Sequence, residues 1–238
     1  MSENLIYAVG DIHGRLDLLE AALLQIETHL DGRRGKLIFL GDYVDRGPES
    51  CGVIELLIKA REAGAVCLKG NHEEMMLRAF RGDQDDAVHW IFHGGDATLI
   101  SYGATGRADD TLRRVPQAHL TWLESLPTSA ADDHRVYVHA GLMPNVPIEQ
   151  QDDEALLWIK EKFLRAGKRA FKDVGHIVHG HTPYWASKPN AEEPELLAHR
   201  TNLDTGAFLT GVLSVGVFDA ALPGGPIKVL RITKPAEG

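Results

Sequence analysis

Five times along this 238-residue chain a short aliphatic run stops abruptly at glycine or polar residues. Leu5–Val9 (LIYAV) leads into Gly10-Asp11-Ile12-His13-Gly14, and Leu37–Leu40 (LIFL) into Gly41-Asp42-Tyr43-Val44-Asp45-Arg46-Gly47. Ala65–Leu68 (AVCL) leads, through Lys69, into Gly70-Asn71-His72-Glu73. Arg135–Val138 (RVYV) leads into His139-Ala140-Gly141, and Ile177–Val178 into His179-Gly180-His181. Short continuous apolar runs bounded by glycine read as strands buried on both faces. Between the first three lie helical patterns. Leu16, Leu19, Leu23, Ile26 and Leu30 step by three and four, as do Val53, Leu56, Leu57 and Ala60. Strand, helix, strand, helix, strand predicts right-handed crossovers and parallel pairing. In such sheets ligands bind beyond the carboxyl ends of the strands. The polar residues just named sit at those ends.

The remainder is less periodic. Glu73 to Pro127 reads as mostly helical, with turns near Gly82, Gly94-Gly95 and Gly103–Arg107. Asp153–Ala166 reads as one helix, Ser187–Glu195 as a loop, and Leu196 to Thr233 as antiparallel strands. No stretch reads as an interdomain linker, so residues 1–238 are expected to form one domain, with 82–127 a helical elaboration beside the site. A hydrophobic fraction of 44% and a charged fraction of 25% exclude disorder, collagen and coiled coil as the main organisation. No apolar run reaches the roughly 20 residues of a membrane helix. The opening MSENLIYAVG lacks a basic region before its apolar run and does not read as a signal peptide. Cys51 and Cys67 are the only cysteines, which suits a reducing, cytoplasmic setting. A net charge of −9 argues against non-specific nucleic-acid binding.

Twelve histidines are many for this length, and their positions matter more than their number. Asp11 and His13, two apart between glycines, offer a carboxylate and an imidazole to one point, a pair suited to Zn, Fe or Mn. Taken alone, they read equally well as a turn and a surface histidine. Asp42 leaves its run as Asp11 does. Two close carboxylates repel unless a cation lies between them. Arg46 then reads as a fork for phosphate oxygens, although an Asp–Arg surface pair before Pro48 is the plainer alternative. Asn71 is an acceptable neutral ligand, or an N-cap of the following helix. His139 and His181 complete a set of six potential ligands, which suits two metal ions better than one.

The ordered blocks GDIHG, GDYVDRG and GNHE resemble the signature of calcineurin-like metallophosphoesterases, and their intact forms resemble the phosphoprotein phosphatase branch. VHAG at His139, GHTP at His181 and LDTGA at Leu203–Ala207 extend the likeness over Leu5–Ala207. The stretch His93–Gly103 (HGGDATLISYG) and the chain length are similar to small bacterial and phage-type Ser/Thr protein phosphatases. The resemblance implies an α/β fold of two mixed sheets sandwiched between helices in four layers. It implies two divalent ions, Mn2+ first, with Fe2+ or Zn2+ as alternatives. Asp11 and His13 would bind the first, Asp42 both, and Asn71, His139 and His181 the second. Arg46 would grip phosphate. His72 would be the general acid, oriented and charged by Asp45.

The implied activity is hydrolysis of phosphate monoesters by in-line attack of a hydroxide held between the metals, with His72 protonating the leaving group. The substrate is expected to be a phosphorylated protein or a small phosphoester. A dinucleoside tetraphosphate hydrolase or RNA-end phosphatase is the alternative on the same site, and a non-catalytic scaffold the remote one. One position departs from the pattern. Where phage-type relatives carry a phosphate-binding Arg soon after a Trp, this chain has Lys160 after Trp158. Lysine keeps the charge but not the planar fork. Lys160 is therefore expected to contact phosphate as a point charge, or Arg165 or another basic residue to substitute for it, or substrate handling to differ. The plainer alternative is a charge on a helix surface beside Glu154 or Glu161. His179, two residues before His181, reads as a structural histidine or a supporting ligand.

Overall fold

The computed structural model describes residues 4–82, 84–105, 114–183 and 192–234. Two mixed five-stranded sheets lie face to face. In the first, β1 (Asn4–Val9) runs parallel to β2 (Arg34–Phe39), which runs parallel to β3 (Val66–Cys67). On its other side β1 pairs antiparallel with β9 (Val212–Asp219), itself antiparallel to β10 (Lys228–Thr233). In the second sheet, β5 (Arg135–Val138), β6 (His176–His179) and β8 (Arg200–Asn202) are parallel. Antiparallel β4 (Ser129–Ala131) and β7 (Glu195–Leu196) close its two edges. The tail is thus not wholly antiparallel, because β8 joins β6 in the direction of the crossovers. Most of the loop expected at 187–195 lies outside the described residues.

Each face of β1 packs in a different core, which is why its sequence is apolar without alternation. Leu5, Tyr7 and Val9 face α1 (Leu16–Leu30) and α2 (Ser50–Glu62). Ile6 and Ala8 lie between the sheets with Ile38, Leu40, Tyr137, Val178 and Phe218. A third cluster, built on Val136, Val138, Ile177 and Phe163, covers the outer face of the second sheet. The layers are therefore helix, sheet, sheet, helix. The apolar stripe of α1 is rotated from the expected one. Leu18, Leu19, Ala22 and Ile26 are buried, while Leu16, Leu23 and Leu30 pack at the margin.

Three further departures bear on the site. α3 begins at Asn71 and runs to Phe80, with Gly70 rather than Asn71 as its cap. The expected turn at Gly94-Gly95 is a single π-turn, Ile91–Gly95, joining α4 (Gln84–Trp90) to α5 (Asp96–Ser101), with Gly94 at φ 103°. α6 (Gln117–Glu124) follows. The helix expected over Asp153–Ala166 is broken. α7 (Asp153–Trp158) ends at Ile159, which is extended at φ −62°, ψ 138°, Lys160 is non-helical at φ −126°, ψ −101°, and α8 (Glu161–Leu164) is one turn long. A short α9 (Ala207–Thr210) leads into β9. No helix among the described residues is long and apolar enough to cross a membrane. Cys51 and Cys67 are both free thiols.

Candidate active site

The loops after β1 and β2 are laced together at the strand ends. The N–H groups of Ile12 and His13 donate to the Asp42 carbonyl at 3.0 and 2.8 Å, and Gly14 N–H donates to Tyr43 at 2.8 Å. The turn is tight enough to force His13, Asp42, Asp45 and Arg46 into the left-handed region, at φ 46°, 54°, 73° and 68°. Non-glycine residues held there store strain, and such residues cluster at functional sites. Glu73 makes this conformation affordable. Its buried carboxylate accepts N–H bonds from Asp42, Tyr43 and Gly70, each at 2.8 Å, and from Val44 at 3.3 Å. Gly70 is obligatory at the start of α3, since a Cβ there would meet Asp42 Oδ1 at 2.2 Å. That approach lets His72 N–H donate to Asp42 Oδ1 at 3.0 Å, at the positive end of the helix.

Asp42 is the centre of the cluster. Its Oδ2 lies 3.4 Å from His13 Nε2, and its Oδ1 lies 3.3 Å from His139 Nε2. Two groups of donor atoms share it: His13, Asp42 and His72, and Asp42, His139 and His181. Asn71 belongs with the second, its Oδ1 being 2.8 Å from both His139 Nε2 and His181 Nδ1. Asp11 stands at the edge. Its carboxylate accepts the His181 backbone N–H at 3.0 Å and joins neither close group.

The donor chemistry fits metal ions. His13 Nδ1–H donates to Val44 O at 2.8 Å and His139 Nδ1–H to Leu40 O at 3.0 Å. Each ring therefore turns a bare Nε2 lone pair inward. His139 is neutral, burial holding it down to about 4, and burial likewise depresses His181. The bare His139 Nε2 lies 3.2 Å from His181 Nδ1, beside the Asn71 amide oxygen and the Asp42 carboxylate, a crowd of ligand atoms suited to a cation. The carboxylates tell the same story. Burial pushes Asp42 up to about 7, and burial together with the Asp204 and Asp42 charges raises Asp11 well above the usual carboxylate range. A dication inverts that cost.

His72 lies on the opposite side of Asp42. Its Nδ1 is 2.6 Å from Asp45 Oδ2. Asp45 is wholly buried and is held by Trp90 Nε1–H at 2.9 Å and Thr98 Oγ1–H at 2.7 Å, both from the helices at 84–101. Burial lowers His72 well below its usual range, and the His13 and Arg46 charges act in the same direction. Arg46 donates through Nη2 to His72 Nε2 at 2.9 Å and through Nη1 to His13 Nε2 at 2.8 Å. Its guanidinium sits 4.9 Å from the centre of the Phe208 ring. Arg46 is exposed, so this fork faces solvent across the cluster.

Lys160 is exposed at the break between α7 and α8 and makes no ion pair among the described residues. Glu161 pairs instead with Arg165 at 2.6 Å. The Lys160 charge reaches the cluster, lowering the Asp42 carboxyl and the His139 and His181 rings. His179 is structural. β6 ends there and His181 turns away at φ 69°, so the two rings do not share a face. The His179 ring packs on Phe163 at 4.9 Å and accepts from Arg200 Nη1 at 3.2 Å.

Residues 5–208 match the family model for calcineurin-like phosphoesterases, and the chain belongs to that family. It is an enzyme that hydrolyses phosphoesters, and its family implies divalent metal ions. The chain is 28% identical over 213 residues to "Serine/threonine-protein phosphatase 1" of Salmonella typhimurium, covering 88% of this chain and 90% of that one. It is also 28% identical over 230 residues to the asymmetrical bis(5'-nucleosyl)-tetraphosphatase PrpE of Bacillus thuringiensis, covering 87% of each. A solved metallophosphoesterase from Sphaerobacter thermophilus superposes with a TM-score of 0.61 at 22% identity, over 97% of this chain and 89% of that one.

Sequence reasoning assigned no role to Glu73, Trp90, Thr98, Asp204 or Phe208. Glu73 closes GNHE, and its place at the third helical position behind a Gly cap is a capping-box spacing. Trp90 and Thr98 flank and enter the HGGDATL stretch, but nothing local says that they face Asp45. Asp204 is the buried acid of LDTGA, pushed by burial up to about 7.

Proposed function

We propose that the chain is a serine/threonine protein phosphatase of broad specificity, acting in the cytoplasm with two divalent ions, Mn2+ first among them. The observation that carries the reading is the His72–Asp45 pair set beside Asp42. A hydrolase of alkyl esters needs an acid for the leaving oxygen, and this pair is an acid and its orienting carboxylate. His13 and Asp11 on one side, Asn71, His139 and His181 on the other, and Asp42 between would hold the ions. When bound, the ions supply a nucleophile at neutral pH and neutralise phosphoryl oxygens.

The chain's own residues do the rest. Arg46 releases the two histidine nitrogens and turns its fork onto the phosphate, with Lys160 as a second, single-point cation. Departure of the guanidinium frees His72 Nε2. The same movement removes one of the charges that, after burial and together with His13, depress His72, and a dianionic phosphate replaces it. His72 can then carry a proton on Nε2 while Nδ1–H stays on Asp45, and deliver it to the departing serine or threonine oxygen. Asp45 therefore orients the ring at all times, but the charge on His72 depends on bound phosphate as well as on Asp45.

Side-by-side rates on a phosphoserine peptide, a phosphotyrosine peptide and a dinucleoside tetraphosphate test the reading. The phosphoserine peptide is expected to give the highest kcat/KM. The PrpE relative, at equal identity and similar coverage, favours a second reading as a tetraphosphatase. Preference for the tetraphosphate would establish that one instead.

A further inference from the structure

The chain carries a net charge of −9, yet residues 160–172 hold six basic side chains and one acid. Lys160, Lys162, Arg165, Lys168, Arg169 and Lys172 are all exposed. Among the described residues, the only ion pair they make is Arg165–Glu161. The buried anchors of the segment are Phe163 and Phe171, which meet edge to face at 5.5 Å and turn the charged positions outward. Lys168, Arg169 and Lys172 line one open cleft of about 540 Å³ with Asn145, Gly167 and Ala170. In an adjoining cleft of about 270 Å³, Arg169 and Lys172 are joined by Glu149 and Asp173. The segment begins at Lys160, the residue whose charge acts on Asp42, His139 and His181.

We propose that this shelf is a docking surface for acidic peptide segments of a phosphoprotein substrate, engaged while the phosphorylated side chain lies over Asp42. The inference rests on the protein-phosphatase reading and adds a substrate class to it. The arrangement of the cations selects the occupant. They are mostly lysines, spread over α8 and the turn that follows, with no buried fork converging on one point. Compact oligophosphates are gripped by converging Arg forks and backbone N–H groups. Dispersed point charges suit carboxylates spaced along an extended chain, roughly 3.3 Å per residue. Such a field acts through encounter and local concentration, which salt weakens. The acidic remainder of the chain disfavours long nucleic acid on the same surface.

The test is the full-length triple variant Lys168→Glu/Arg169→Glu/Lys172→Glu, read in two ways. Fluorescence anisotropy with an unphosphorylated Asp/Glu-rich peptide measures docking without hydrolysis. Rates on acidic and neutral phosphoserine peptides, a dinucleoside tetraphosphate and p-nitrophenyl phosphate measure its use. Docking and kcat/KM on the acidic peptide are expected to fall about tenfold or more, through KM and with loss of salt dependence. The neutral peptide and p-nitrophenyl phosphate should be unchanged. Unaltered docking of the acidic peptide overturns the proposal, as does a loss confined to the tetraphosphate. If p-nitrophenyl phosphate hydrolysis falls in parallel, the wild-type salt dependence decides: equal salt sensitivity for acidic and neutral peptides refutes the shelf. Wild-type protein that docks the acidic peptide but hydrolyses no phosphopeptide supports the shelf and overturns the phosphatase reading instead.

Discussion

His72 Nδ1 lies 2.6 Å from Asp45 Oδ2, and the same ring's Nε2 is the atom that Arg46 covers at 2.9 Å. One side of the imidazole is fixed and the other is exchangeable, which is what a proton donor to a departing oxygen requires. His72→Asn is therefore expected to slow turnover of a phosphoserine peptide by about 10²–10⁴-fold, the usual worth of acid–base catalysis. p-Nitrophenyl phosphate, with a better leaving group, should lose less. Metal content, measured on the same sample, should stay at the wild-type level. Equal rates for variant and wild type on both esters would remove His72 from the acid role.

Asp45 depends on the helices inserted between residues 84 and 101. Thr98→Val keeps the shape of the side chain but removes the donor to Asp45 Oδ1 and the acceptor for Asp45 N–H. The expected stability loss is about 1.5–3 kcal/mol, the range for a hydrogen bond to a charged group. The kcat pH profile on a phosphoserine peptide should move with it, because the carboxylate that orients His72 is less well held. Thr98→Ser should restore both. A Val variant with wild-type melting and an unmoved profile would show that Trp90, Ser50 and His72 hold Asp45 without Thr98.

Much of this cluster was legible in the sequence because each candidate ligand is local to a strand end. A run such as LIFL followed by GDYVDRG states both the strand and the turn, and parallel sheets bring such ends to one edge. The cap position stays open in the sequence because Asn71 and Gly70 both suit a helix start. Only the approach of Asp42 Oδ1 to Gly70 decides between them. The break at Ile159-Lys160 was hidden by a pattern that continues with helical spacing across it. Trp90 reaches Asp45 over 45 residues of chain, and sequence spacing carries no record of such a contact. The role of Glu73 was hidden for another reason. It bonds backbone N–H groups about 30 residues away, and backbone groups leave no mark in a sequence.

Asp42 is the one side chain shared by both donor groups. Asp42→Asn removes the charge while keeping the shape, and it leaves His13 and His139 facing a neutral amide. Stoichiometric metal and p-nitrophenyl phosphatase activity are both expected to be lost. Chelation of the wild-type protein should abolish activity in the same way, and added Mn2+ should restore it to the wild type alone. A variant retaining full metal content would displace Asp42 from the centre of the site.

Lys160 carries its charge to the cluster without an ion pair of its own among the described residues. Lys160→Ala should raise the inhibition constant for inorganic phosphate several-fold, within the 0.5–1.5 kcal/mol or so of a partly exposed charged contact. Lys160→Arg should restore it or improve on it, since the fork adds a second donor. An inhibition constant unmoved in the Ala variant would place Lys160 outside the substrate contacts.

Stability of the chelated protein should depend on pH in a way that metal removes. Burial pushes Asp42, Glu73 and Asp204 each up to about 7, above the roughly 4 of an unfolded carboxylate. The folded state therefore holds protons that the unfolded chain has already lost, and these groups together lower stability as pH rises from about 4 through 7. The buried histidines act oppositely. His139 and His176 are held down to about 4 and His179 to about 3, so the unfolded chain binds their protons first and stability rises with pH. That contribution is complete once the unfolded histidines have titrated, near 6.5. Below that point the two sets offset each other. Above it the carboxylates act alone, so stability falls through pH 7 and then levels. Bound cations take the place of those protons and hold the carboxylates ionised, and metal affinity rises with pH for the same reason. The Tm of Mn2+-loaded protein should exceed that of chelated protein by a wider margin at pH 8 than at pH 6. A margin that is constant or shrinking over that interval would mean that the crowded carboxylates are not what the metal relieves.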